Sequence, residues 1–199
     1  MCVSKERTSL LIPSEENFIS NKEVSDILYV WILLNGDNID GNITINQKPR
    51  GAYKELGINY RTFYRKIDKL LEYGYIEKDG EYKYKISSKK YKYKRYVYKD
   101  IIKELYDTKI NNIIKVYIYL SSLYDTNQKK RIPTYFRYNT LAKVIGYYGG
   151  ENRDSRNEKK VGGIVKKLSD MKLISYTPQY IKVGEKYQTN FILNKIVTK

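Results

Sequence analysis

Arg61, Thr62, Arg65 and Lys69 recur at three- and four-residue spacing, and their types suggest one chemistry. A guanidinium can bond a guanine edge bidentately, and a threonine hydroxyl can meet a base edge or a phosphate. An ammonium supplies a point charge for phosphate. Lys66, Lys78, Lys83 and Lys85 lie close by in sequence, and Arg153, Arg156, Lys159, Lys160 and Lys167 form a second group. This is the chemistry of holding a polyanion.

Bond-making chemistry has little to work with. The 199 residues contain no histidine and one cysteine, Cys2. That excludes a Ser-His-Asp triad, a Cys-His pair, an imidazole-held metal, a zinc finger built on cysteine pairs and an intrachain disulfide. The 23 tyrosines raise the idea of a tyrosine nucleophile acting on DNA. Enzymes of that type resemble one another in histidines that hold the metal or the phosphate, and this chain has none. No enzymatic activity, metal, cofactor or small-molecule ligand is expected.

The charge points the same way. Lys and Arg number 38 against 22 Asp and Glu, a net +16 that attracts nucleic acid or an anionic surface. Residues 1–48 carry 4 basic and 7 acidic groups, whereas residues 49–99 carry 15 and 6, so the positive field begins near the first basic group. The longest apolar run, Ile27 to Leu34, is too short to span a bilayer, and no signal-peptide pattern opens the chain. A soluble, cytoplasmic protein without membrane association is expected.

The elements that would position these residues follow from periodicity. Residues 1–20 read as an arm containing Pro13. A helix is expected from about Lys22 to Leu34, with Val24, Ile27, Leu28, Trp31 and Leu34 inward and Asn35-Gly36 at its end. Ile43 to Ile45 read as a short strand, and Pro49 opens a second helix through Leu56.

Gly57 closes that helix and Asn59 caps the next, along which Tyr60, Phe63, Tyr64, Ile67, Leu70 and Leu71 draw an apolar stripe. The opposite face reads as basic rather than mixed. Gly74 stops this helix. A hairpin is then expected from Tyr75 and Ile76, through an Asp79-Gly80 turn, to an alternating strand from Tyr82 to Ile86.

The pattern recurs. Ile113, Val116, Tyr117 and Leu120 repeat Ile27, Val30, Trp31 and Leu34 at an offset of 86. A strand from Thr134 to Tyr138 and a helix from Asn139 to Ile145 follow, and Val161, Val165, Leu168, Leu173 and Ile174 repeat Phe63, Ile67, Leu70, Tyr75 and Ile76 at an offset of 98. The increase is placed in the longer loop from Gly146 to Asn157. A second hairpin is expected from Ser175 to Phe191, turning near Gly184, and a helix from Lys99 to Lys109 joins the halves.

Three stretches keep two readings each. Gly162 and Gly163, the latter at the position of Arg65, either let a backbone approach phosphate or another chain, or mark a weak helix start. The loop with Arg153 and Arg156 contacts DNA or is plain surface. The Lys and Tyr run from Lys83 to Lys99 sets lysines on phosphate and tyrosines on exposed bases, or is a half-buried strand with only some lysines on phosphate, and from Ser87 onward it reads as a long basic strand extending the hairpin or as a linker between domains.

The succession helix, strand, helix, helix, hairpin, with Phe63-Tyr64-Arg65-Lys66-Ile67-Asp68-Lys69-Leu70-Leu71 running into Gly74-Tyr75-Ile76, resembles the tandem winged-helix replication initiators of plasmids from AT-rich bacteria. Phage replisome organisers are a more distant resemblance. The fold expected is α+β, two tandem winged helix-turn-helix domains: an arm over 1–20, a first domain over 21–98 and a second over 99–199. The resemblance implies binding of double-stranded DNA at repeated sites of a replication or transfer origin, with a homodimer or replication and transfer proteins as further partners. A transcriptional regulator on an operator, or a DNA-to-protein adaptor, are the competing readings.

Overall fold

Trp31 is the residue around which the first half closes. The computed structural model describes residues 9–13, 19, 21, 30–32, 35–39, 42–46, 49–86, 94–147 and 155–197. Val30, Trp31 and Ile32 are helical and buried, and the Asn35 side-chain amide donates to the Trp31 carbonyl at 3.2 Å where the helix ends. The Trp31 ring meets Phe63 edge-on at 5.2 Å and Tyr84 at 6.1 Å. Most of the helix expected over 22–34 lies outside the described residues, as do Cys2 and the run 87–93.

Two short helices and a sheet surround this centre. Helix α1 spans Pro49–Glu55 and α2 spans Tyr60–Glu72. The strands are β1 (Ser9–Pro13), β2 (Gly36–Ile39), β3 (Asn42–Asn46), β4 (Glu77–Lys78), β5 (Lys83–Ile86) and β6 (Lys94–Tyr98). One antiparallel sheet has the order β2-β3-β5-β4, and β1 pairs with β6 in a separate ribbon. Part of the expected arm is therefore a strand, and the end of the Lys and Tyr run is its partner rather than an extension of the hairpin. Proline is tolerated at such an edge because no further strand needs its missing N–H.

The first hairpin is shorter than its sequence suggests. The amides of Tyr75 and Ile76 donate back to the Leu70 carbonyl at 2.8 and 3.3 Å, with Gly74 at φ 62°, so the helix exit holds both residues and the strand starts at Glu77. At the far end the Asp79 amide donates to the Lys83 carbonyl at 2.8 Å and encloses Gly80, Glu81 and Tyr82. Only Gly80 of the Asp79-Gly80 pair takes a positive φ, 132°.

The second half repeats the succession. Helix α3 spans Lys99–Asp107, α4 Ile113–Lys129, α5 Tyr138–Val144 and α6 Ser155–Asp170; β7 spans Thr134–Phe136, β8 Ile174–Val183 and β9 Lys186–Ile196. Its sheet order, β7-β9-β8, matches β3-β5-β4: in each half the last strand lies between the first two. Tyr117 stands where Trp31 stands, fully buried, and its hydroxyl donates to the Val197 carbonyl.

Helix exits repeat too. Gly57 and Gly146 both take positive φ (64° and 79°), as do Gly74 and Lys172 (62° and 59°). The offset thus rises to 89 between Gly57 and Gly146, before the long loop, and reaches 98 beyond it. Part of the increase precedes the loop to which all of it was assigned.

The halves share one buried cluster. The Tyr106 hydroxyl of α3 donates to the Leu56 carbonyl at 3.0 Å, beside a cavity of about 360 Å³ lined by Leu56, Ile58, Tyr106, Ile110, Ile113 and Ile114. The fold is mixed α+β. Among the described residues no helix is long and apolar enough to cross a membrane.

Candidate nucleic-acid interface

Helix α2 begins at a side-chain cap, the Asn59 carbonyl oxygen accepting from the Arg61 amide at 2.8 Å. Phe63, Ile67 and Leu70 are buried, which at 3.6 residues per turn aims Arg61 and Arg65 outward. Both are exposed, as is Thr62, whereas Lys66 and Lys69 are half-buried. The outward face of α2 is mixed and not basic throughout as expected. Asp68 and Glu72 continue the line of Arg61 and Arg65 and are exposed, so the outward face is basic in its first turns and acidic in its last. Lys69 is already paired with Glu72 at 2.6 Å.

The first hairpin is similarly balanced. Lys83 Nζ lies 3.3 Å from the Asp79 carboxylate, and Glu77 faces Lys85 across the ladder, while Lys78 is exposed. From residue 60 to 86 the chain has seven basic and five acidic residues, a net of +2.

Helix α6 carries a more uniform charge. Val161, Ile164, Val165 and Leu168 are buried. Arg156, Lys159, Gly163, Lys166 and Asp170 face outward, all exposed, flanked by Lys160 and Lys167, so the one acidic residue on this line is Asp170, at the position of Glu72. Arg156 belongs to the first turn of this helix and not to the preceding loop; Arg153 lies outside the described residues. Lys166 occupies the position of Asp68, an exchange of sign that the sequence reading passed over. From 155 to 197 there are nine basic and three acidic residues, a net of +6.

The two glycines of α6 differ in kind. A Cβ at Gly162 would lie 3.0 Å from Tyr138 Cε2, so this glycine admits a tyrosine ring of α5. A Cβ at Gly163 would meet nothing within 4 Å. Neither expected reading fits Gly162, whose reason is packing against its own fold.

The second hairpin extends well past the core. Strands of ten and eleven residues join at Gly184-Glu185, with Gly184 at φ 62°. Near the body, Phe191 stacks on Tyr138 at 4.4 Å and on Phe136 at 5.3 Å. Farther out, Tyr180 and Tyr187 are 70% and 72% exposed. Between this hairpin and the starts of α5 and α6 is a cleft of about 340 Å³, bordered by Arg137, Tyr138, Asn139, Glu158, Tyr187 and Thr189. Arg137 Nε donates to the buried Asn190 side chain and is thereby fixed at its edge.

Burial pushes the Tyr117 and Tyr138 phenols well above their ordinary range, which keeps both protonated. Among the described residues no three acidic or cysteine side chains gather where a metal ion could be held. The expected residues thus fall on two helices and one short hairpin, with α6 the more strongly basic. Lys166, Tyr180, Lys182 and Tyr187 were missed; of these, Lys166 could have been found by carrying the offset of 98 past Arg65. Comparison with protein-family models, with curated proteins and with solved structures returns no match.

Proposed function

We propose that the chain is a sequence-specific double-stranded DNA-binding protein of two tandem winged helix-turn-helix units, acting at repeated sites of a plasmid or mobile-element origin. One observation carries the reading: the succession helix, strand, helix, helix, hairpin occurs twice with the last strand central, and both helices preceding the hairpins bear outward basic residues on their first turns. The N-terminal turns of a recognition helix are the ones that meet base edges. Arg61, Thr62 and Arg65 in α2, and Arg156, Lys159 and Lys160 in α6, fill those turns. Lys78, Lys83 and Lys85 suit sugar-phosphate positioning on the first hairpin.

Footprinting on a selected site tests this. Two protected zones about one helical turn apart, some 10 bp between centres, are expected. A single short zone, unchanged when α6 carries glutamates at Lys159 and Lys160, would refute use of both helices. A second reading, DNA on one half and a protein on the other, is favoured by the charge contrast of +2 against +6. In that case α6 reads DNA and α2 docks a protein.

A further inference from the structure

We propose that the cleft between β9 and the starts of α5 and α6 takes an unstacked nucleobase, with Tyr187 as its stacking wall. The proposal rests on the nucleic-acid reading above and adds a substrate form to it, a strand with unpaired bases.

The register sets the geometry. Tyr187, Thr189 and Phe191 alternate onto one face of the hairpin, opposite Lys182, Tyr180 and Pro178. Phe191 stacks on Tyr138 of α5, so this face looks toward the helices. Beyond Phe191 none of the helices among the described residues covers this face, and Tyr187 and Tyr180 are left 72% and 70% exposed.

A tyrosine ring standing open beside a cleft offers a π surface, and the cleft of about 340 Å³ has the polar border that a base edge needs. Asn139 brings an amide, Thr189 a hydroxyl and Glu158 a carboxylate acceptor. Lys182 faces Tyr187 across the ladder, and Lys159 and Lys160 follow the cleft residue Glu158 in α6, so positive charge for a strand backbone stands beside the cleft. A paired base shows only its groove edges and cannot lie flat on Tyr187; a base swung out of its stack can. Tyr180, on the same face nearer the body, is placed for a neighbouring base.

The test uses the full chain with three DNAs of one sequence: a duplex, the duplex with a central unpaired bubble carrying 2-aminopurine, and the single strand. The wild-type chain is expected to bind the bubble more tightly than the duplex and to quench the 2-aminopurine. Tyr187→Ala should lose roughly 5- to 150-fold on the bubble, the range for one stacked base, and clearly less on the duplex. Tyr187→Phe keeps the ring and should keep both the affinity and the quench, which separates stacking from damage to the hairpin. Equal binding of bubble and duplex by the wild type overturns the proposal while the duplex reading stands. Equal losses on both DNAs in Tyr187→Ala overturn it too, making Tyr187 a plain contact. Binding of none of the three DNAs would overturn this proposal together with the proposed function.

Discussion

Replacing Gly163 with alanine is expected to stabilise the fold, and the same change at Gly162 to weaken it. Both glycines lie inside α6, where alanine is favoured over glycine by about 1 kcal/mol. At Gly163 the added methyl meets nothing within 4 Å, so that whole gain should appear, raising Tm by roughly 2–4 °C for a chain of this size. At Gly162 the methyl would lie 3.0 Å from Tyr138 Cε2 and 3.4 Å from Cδ2. The ring cannot simply swing aside, because it is stacked at 4.4 Å on Phe191. Overpacking of this kind costs about 1–3 kcal/mol, so the net change falls between about zero and a 2 kcal/mol loss. Denaturant unfolding of both variants measures the difference. Two shifts of the same sign and size would refute the packing reason given for Gly162. A loss at Gly163 would refute its exposed helical placement. If α6 meets duplex DNA along this face, Gly163→Ala also binds more weakly although it is more stable, so the two readouts move in opposite directions.

Arg65→Ala should cost about 1–3 kcal/mol on a specific site and little on random duplex; equal losses would make α2 a backbone contact only. Lys85→Ala should weaken both duplexes alike and lower the salt slope by about one, with a smaller effect at Lys83, whose charge Asp79 meets at 3.3 Å. The cluster shared by the halves predicts a single cooperative melt, and Tyr106→Phe, which loses the bond to the Leu56 carbonyl, should cost about 0.5–1.5 kcal/mol; two separate transitions in the wild-type chain would contradict this. Burial raises the Tyr117 phenol, so the folded state holds that proton more tightly than the unfolded one. Its contribution is whole below pH about 10, the unfolded value, and is lost as pH rises through the folded value. Stability measured upward from pH 10 should therefore fall, and less steeply in Tyr117→Phe.

Much of the fold was legible because apolar spacing survives translation into packing. Phe63, Ile67 and Leu70, with their counterparts Val161, Val165 and Leu168, are all buried, and Asn59 caps α2 as its position suggests. The strands β1 and β2 were not legible. The Gly36-Asp37-Asn38 stretch has the composition of a turn, and its strand is made by backbone pairing with β3, which leaves little mark on side-chain choice. The true start of β4 was hidden in the same way, since the bonds that hold Tyr75 and Ile76 to Leu70 belong to the helix exit. The candidate interface was half legible. The basic residues could be read, and the same period that turns Phe63 and Ile67 inward also places Asp68 and Glu72 on the outward α2 face; the ion pair that Glu72 makes with Lys69 needs the folded side chains. Tyr187 and its cleft need the register of β8 on β9, which no single strand encodes.

The most direct test is the salt dependence of duplex binding by the wild-type chain, by a variant with Lys159, Lys160 and Lys167 changed to glutamate, and by a control with Lys103, Lys129 and Lys130 changed instead. Those control residues are exposed on α3 and at the end of α4 and belong to neither α6 nor its hairpin. Log affinity should fall linearly with log salt for the wild type and the control, and the α6 variant should lose about 0.9 of slope for each phosphate contact removed. Equal losses in the two variants, or a wild-type affinity for duplex that salt does not change, would contradict the assignment of α6 as a DNA-binding helix.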